Sequence, residues 1–232
     1  MADRMFMAEV KAAARCGGCL LCALSDAAED RYLRAILREG GSSERLLGEI
    51  VDSRGVCREH GWRLLDDEIE SEGNALSTCC VFLAPVEELG SVLKKTRTTS
   101  RRRPRRKPKG LKGCPVCLMV SHVVECYESE LLRAFGDGSL AAGGVDLCLC
   151  LRHYAALERV AFAAGDDDTL ERVRSRQRED IESALAEARE YIAAQNVAAH
   201  GEHTCADPRA DPPLQLVRLV AGLPRRRPNG DR

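Results

Sequence analysis

Residues 19–37 read CLLCALSDAAEDRYLRAIL, and residues 114–132 read CPVCLMVSHVVECYESELL. Both open on Cys-x2-Cys. Both place a tyrosine (Tyr32, Tyr127) ten residues after the second cysteine, and both follow it with an apolar pair, Ile36–Leu37 and Leu131–Leu132. Each stretch then leads to a Cys-x2-His: Cys57-Arg-Glu-His60 begins 35 residues after Cys22, and Cys150-Leu-Arg-His153 begins 33 residues after Cys117. Leu64 and Leu157 each lie four residues beyond their histidine. Register held across several residue types marks an internal repeat.

Within each copy the apolar spacing is helical. Leu24, Ala27, Ala28, Tyr32, Ala35 and Ile36 recur at intervals of three and four, and Gly40-Gly41 is expected to stop that helix. A second helix is expected from near Cys57, carrying Trp62, Leu64 and Leu65, and ending at Gly73-Asn74. A third runs from about Ala75 towards Leu93 with Pro85 inside it as a candidate kink. The second copy repeats the plan with Leu118–Phe135, a glycine-rich loop over 136–144 and a helix from Cys150 to Ala164. A long amphipathic helix is then expected over Thr169–Ala198, with Leu170, Val173, Ile181, Leu185, Ala188 and Ile192 as its stripe. Asp166, Asp167 and Asp168 precede it and suit the positive end of its dipole. There is no alternating β-branched run, and aromatic residues are 4% of the chain. The expected fold is all-α: two repeated helical units, each with a CxxC/CxxH metal site, plus the long C-terminal helix. The boundaries are 1–93 and 113–165 for the two units, 94–112 for a linker, 166–223 for the long helix with a docking segment (Leu214–Leu223), and 224–232 for a tail.

The linker carries the charge asymmetry. The chain of 232 residues has 35 Lys/Arg and 36 Asp/Glu, a formal net charge of −1. Eleven of the bases, and no acid, fall in KKTRTTSRRRPRRKPKGLK, residues 94–112, leaving 24 bases against 36 acids, about −12, on the remainder. Like-charge repulsion and proline point to a disordered connection. Such a run can neutralise phosphates and bind nucleic acid or another polyanion in a salt-dependent way, but it has no aromatic residue to stack on a base.

Three thiolates and an imidazole, from a Cys-x2-Cys at the start of one helix and a Cys-x2-His at the start of another, complete a tetrahedral set for zinc. The two-residue spacer lets both side chains of a pair converge on one ion, while the helix N-terminus favours thiolate charge. A site filled by four protein ligands is closed, hence structural. The sequence reading joins the pairs within a copy: Cys19 and Cys22 with Cys57 and His60, and Cys114 and Cys117 with Cys150 and His153, for two Zn2+ per chain.

The chain resembles an uncharacterised bacterial family, a domain of unknown function, whose duplicated CPxC…CxxH helical units carry a zinc-ligand pattern. The pieces that carry the resemblance are CLLC…RYLRAIL…SRGVCREHGWRLL, GNALSTCC, CPVC…CYESELL…LCLCLRH and EAREYIAAQ…PLQLVRLVAG. They span most of residues 16–223 outside the linker. The resemblance implies Cys19, Cys22, Cys57, His60, Cys114, Cys117, Cys150 and His153 as ligands, and no activity. Two positions depart from the pattern. Leu20 stands where the second copy has Pro115, and Cys148 stands where the first copy has Gly55.

Of twelve cysteines, six remain. Cys16 forms Cys-x2-Cys-x2-Cys with Cys19 and Cys22 and is an alternative ligand, although register favours the latter two. Cys148, two residues before Cys150, is an alternative ligand or a spare thiol. Cys79, Cys80 and Cys126 are expected to pack inside helices. His200, His203 and Cys205 resemble a further ligand cluster in a polar stretch, and His122 is a weaker candidate.

No run reaches the roughly 18 apolar residues of a membrane span, and the N-terminal residues lack the apolar core of a secretory signal. Many cysteines without such a signal point to metal or thiol chemistry in a reducing, cytoplasmic setting. No nucleophile elbow, phosphate-binding glycine loop or HExxH motif is present. The expected function is a non-enzymatic, zinc-binding helical module that engages a protein partner. The alternatives are nucleic-acid binding through the linker and a thiol redox or zinc-release sensor.

Overall fold

The computed structural model describes residues 2–39, 42–96, 113–198 and 217–221. They are mostly helical, joined by short turns and irregular segments, with no strand among them. The helices are α1 (Ala2–Ala14), α2 (Leu20–Glu39), α3 (Glu44–Asp52), α4 (Arg58–Glu72), α5 (Leu76–Thr96), α6 (Pro115–Gly136), α7 (Ser139–Ala142), α8 (Leu151–Ala164) and α9 (Asp167–Ala198). None of them is long and apolar enough to cross a membrane. The expected stop at Gly40-Gly41, the cluster of His200, His203 and Cys205, and residues 97–112 of the basic segment lie outside the described residues. Lys94–Thr96 continue α5, and 217–221, within the expected docking segment, are helical.

The chain packs as two units. One comprises Met1–Asp26 and Val124–Arg225, the other Ala27–Val123 and Arg226–Arg232. The sequence repeat and the packing unit are therefore different divisions of the chain. Two of the unit boundaries, after Asp26 and after Val123, fall inside helices α2 and α6, so each of these begins in one unit and ends in the other.

In the second unit Leu33 and Ile36 of α2, Leu46 and Ile50 of α3, Leu64 of α4, Val81 of α5 and Val116 of α6 form one buried cluster. Helix α3 was not foreseen. Ser43 caps it, its Oγ accepting from Leu46 N at 3.4 Å. Gly73 ends α4 in the left-handed conformation, φ 68°, a backbone state that costs a side-chain-bearing residue dearly. The start of α5 is then satisfied donor by donor. Asn74 Oδ1 accepts from Leu76 N at 3.0 Å, and the buried Glu68 carboxylate accepts from Ser77 N at 2.7 Å and Thr78 N at 2.8 Å. Burial pushes the Glu68 carboxyl up, but the hydrogen bonds from Thr78 and Ser77 outweigh it and hold it below the ordinary 4.5. Its contribution is thus complete above that value and is lost as pH falls through the lower folded-state value. Glu68→Ala is expected to cost about 2–3 kcal/mol at neutral pH. Glu68→Gln should cost less and remove part of the acid-dependent loss, as followed by denaturant unfolding between pH 3 and 7.

In the first unit the buried residues include Val10 of α1, Leu20, Leu21 and Leu24 of α2, Leu131 of α6, Leu140 of α7, Leu157 and Ala161 of α8, and Leu170 and Val173 of α9. Asp166 caps α9 through Thr169 N at 3.0 Å, as its position suggested. Tyr127 donates to Glu9 Oε2 at 2.6 Å, while the equivalent Tyr32, in the other unit, donates to Glu49 Oε2 at 3.2 Å. The two repeat tyrosines do the same job against carboxylates from non-equivalent helices.

Several expected core positions face outward. Helix α4 packs through His60, Leu64 and Glu68, one turn apart, which turns Trp62 to the opposite side, 60% exposed. Helix α5 packs through Thr78, Val81 and Pro85, so Cys79 and Cys80 are exposed. Cys126 is exposed beside the buried Tyr127, and His122 is exposed on α6. On α9 the buried stripe is Leu170, Val173, Gln177, Ala184 and Ala188. Leu185 and Ile192 fall to its side and are exposed.

Candidate metal centre

All eight cysteine and histidine residues singled out by the repeat come together, in two groups of four. The groups are Cys19, Cys22, Cys150 and His153, and Cys57, His60, Cys114 and Cys117. The expected partnership within each copy is corrected. The CxxC of the first copy meets the CxxH of the second, and the CxxC of the second meets the CxxH of the first. The physical reason lies in α2 and α6. Each carries its CxxC at its N-terminus, in the unit opposite to the one that holds its C-terminal half. Every group lies wholly within one packing unit.

The local geometry repeats four times. The first residue of each pair, Cys19, Cys114, Cys57 or Cys150, immediately precedes a helix, and its carbonyl accepts the first helical hydrogen bond. The donors are Ala23 N at 3.2 Å, Leu118 N at 3.0 Å, Gly61 N at 2.9 Å and Tyr154 N at 2.8 Å. Cys57 and Cys150 share the same extended backbone, φ −68° ψ 166° and φ −74° ψ 160°. The second residue of each pair then falls three residues into the register, where the side chains at the cap and the third helical position meet at the helix mouth. Two helix N-termini therefore face each cluster and favour its negative charge.

The two positions of departure meet through their main chains. Pro115 occupies the first helical position of α6, where a missing N–H is harmless. Leu20 occupies the same position in α2 and does have an N–H, which donates to the Cys148 carbonyl at 3.0 Å. The buried Gln177 of α9 holds the neighbouring Leu149 carbonyl at 3.5 Å. Neither Cys16 nor Cys148 belongs to a cluster.

In the first cluster His153 Nδ1 lies 3.3 Å from Cys19 Sγ, 3.4 Å from Cys22 Sγ and 3.4 Å from Cys150 Sγ, and Cys22 Sγ lies 3.9 Å from Cys150 Sγ. In the second, His60 Nδ1 lies 3.0 Å from Cys57 Sγ and 3.5 Å from both Cys114 Sγ and Cys117 Sγ, with Cys57 Sγ 3.9 Å from Cys117 Sγ. Zinc bonds of about 2.3 Å to sulfur and about 2.0 Å to nitrogen put tetrahedral donors about 3.8 Å apart for S···S and about 3.5 Å for S···N. The donor sets fit such an ion in composition and in spacing.

Electrostatics points the same way. Hydrogen bonding with Cys150 and Cys22, with burial, pushes the Cys19 thiol up, while hydrogen bonds from Cys19 and Cys22 pull Cys150 down. Burial and the neighbouring Cys114 push Cys117 up to about 12. Burial opposes charge on His153, but hydrogen bonds with Cys150 and Cys22 raise it to about 9. Three crowded sulfurs cannot all be thiolates unless positive charge sits among them, and a bound dication would supply it.

The surroundings of the two histidines differ, and the sequence reading missed this. His60 Nε2 lies 3.2 Å from Glu29 Oε1, both side chains being almost wholly buried. Arg63 Nη1 reaches the same Glu29 oxygen at 2.5 Å, and Arg63 also pairs with Asp30 and, at 3.8 Å, with Asp67. Burial pushes the Glu29 carboxyl up, but His60 and Arg63 hold it below the usual glutamate value. For His153 the nearby acid is Glu128, whose carboxyl is pushed up by burial and drawn down by the His153 charge. The available signal was Glu29 itself, an acid on the buried stripe of α2 between Ala28 and Leu33. No protein-family model, curated protein or solved structure matches the chain.

Proposed function

We propose that the chain is a non-enzymatic zinc protein. It binds two structural Zn2+ ions, one on Cys19, Cys22, Cys150 and His153 and one on Cys57, His60, Cys114 and Cys117, and presents the resulting helical body to a protein partner. The observation that carries this reading is the pair of four-donor clusters, each of three sulfurs and one imidazole nitrogen. Borderline-soft zinc suits that donor set. With all four positions filled by the protein, no coordination position remains for substrate, which supports a structural role over a catalytic one. Each ion would join two helix N-termini that are distant in sequence.

The partner-binding half of the reading rests on α5. From Leu76 to Val86 that helix carries no charged residue, and Leu76, Cys79, Cys80, Leu83 and Val86 on its outer side are exposed. A helix that is uncharged on both faces is ordinarily covered on both.

Elemental analysis of the purified full-length chain tests the metal. The expected result is two zinc ions per chain. A well-folded, monodisperse preparation without metal overturns the proposal.

A further inference from the structure

We infer that Glu29 makes the two metal sites unequal, so that zinc is held more tightly at the His60 cluster and is released first from the His153 cluster. This rests on the proposed zinc binding and adds a difference between the sites that the repeat does not contain.

The argument starts from the imidazole. In both clusters Nδ1 faces the sulfurs. An Nδ1 ligand must carry its proton on Nε2, and a carboxylate held beside that nitrogen favours this tautomer and raises the ring's basicity. At His60 the Glu29 carboxylate stands 3.2 Å from Nε2 as a buried charge beside that nitrogen, close enough to raise the ring's basicity although the pair is not aligned as a hydrogen bond. The carboxylate is itself held. Arg63, three residues after His60 and so on the same side of α4, binds the same oxygen and is anchored by Asp30. The guanidinium offsets the buried charge, so Glu29 polarises the imidazole without standing as an uncompensated anion in the core. His153 makes no ion pair among the described residues. The positions that the repeat would make equivalent explain why. Glu29 lies seven residues after Cys22, and the residue seven after Cys117 is Val124. The two copies agree in their ligands and differ in what stands behind one of them.

The experiment isolates each site in the full-length chain. Cys22→Ser leaves only the His60 cluster complete, and Cys117→Ser leaves only the His153 cluster complete. Zinc affinity is read by competition with a chromophoric chelator. In the Cys22→Ser background, Glu29→Gln is expected to weaken zinc by about 10–100-fold. In the Cys117→Ser background the same change should leave affinity unaltered. Glu29→Asp, which keeps the charge beside Arg63 but withdraws it from Nε2, should fall between wild type and Glu29→Gln. Cobalt substituted for zinc gives a second readout, since Glu29→Gln should shift the ligand-field bands of the His60 site alone. An equal loss at both sites shows a general effect on the fold and overturns the inference, as does no loss at either. Absence of zinc from the unaltered chain would instead sink the underlying proposal.

Discussion

A full-length chain cut after purification at a specific protease site placed within residues 97–112 is expected to stay together as a 1:1 complex with both zinc ions. It should fall apart when a strong chelator removes them. Each fragment holds half of each cluster: Cys19, Cys22, Cys57 and His60 precede the cut, and Cys114, Cys117, Cys150 and His153 follow it. Both ions therefore bridge the fragments. Apparent zinc binding energies of about 10–16 kcal/mol per structural site are large beside the roughly 4–15 kcal/mol that association costs. Size-exclusion chromatography with metal analysis of the peak checks it. Two separate fragments, each with one zinc, would show that ligands pair within a copy and that the crossed arrangement is wrong.

Paired substitutions should give the same answer by metal count. Cys22→Ser with His153→Ala damages one cluster twice, and the chain is expected to keep one zinc. Cys22→Ser with His60→Ala damages both clusters, and the chain is expected to keep none tightly. Under pairing within a copy these results would be reversed. The second variant should also lose several kcal/mol more stability than the first, a large share of the roughly 5–15 kcal/mol that a domain possesses, which thermal unfolding would register. Equal zinc content in the two variants would contradict the assignment.

Most of the long helices and the Cys/His pairs that meet in the clusters were legible in the sequence because both are local, whereas α1 and α3 were not. Leu24, Ala28 and Ile36 report the helical period directly, and a two-residue spacer brings Cys114 and Cys117, or Cys57 and His60, together whatever the rest of the chain does. The pairing of clusters was not legible. Either CxxC can close with either CxxH, and only the packing of α2 and α6 across two units decides. Cys79 and Cys80 were misplaced for a related reason. An uncharged helix does not reveal which of its faces is covered, and here Thr78, Val81 and Pro85 take the inner side. Glu29 was passed over because its partner, Arg63, lies 34 residues away on another helix.

The crossed pairing also has a consequence for synthesis on the ribosome. Cys19, Cys22, Cys57 and His60 emerge first, and together they already make a complete set of three sulfurs and one nitrogen. Their native partners begin only at Cys114, which at about 5–20 residues per second takes several seconds more. A nascent chain that met zinc in that interval would close the wrong site with the right residues. It would then have to exchange two ligands before α6 could take its place. Under the proposed zinc binding, the timing of metal delivery would be part of how this fold is reached.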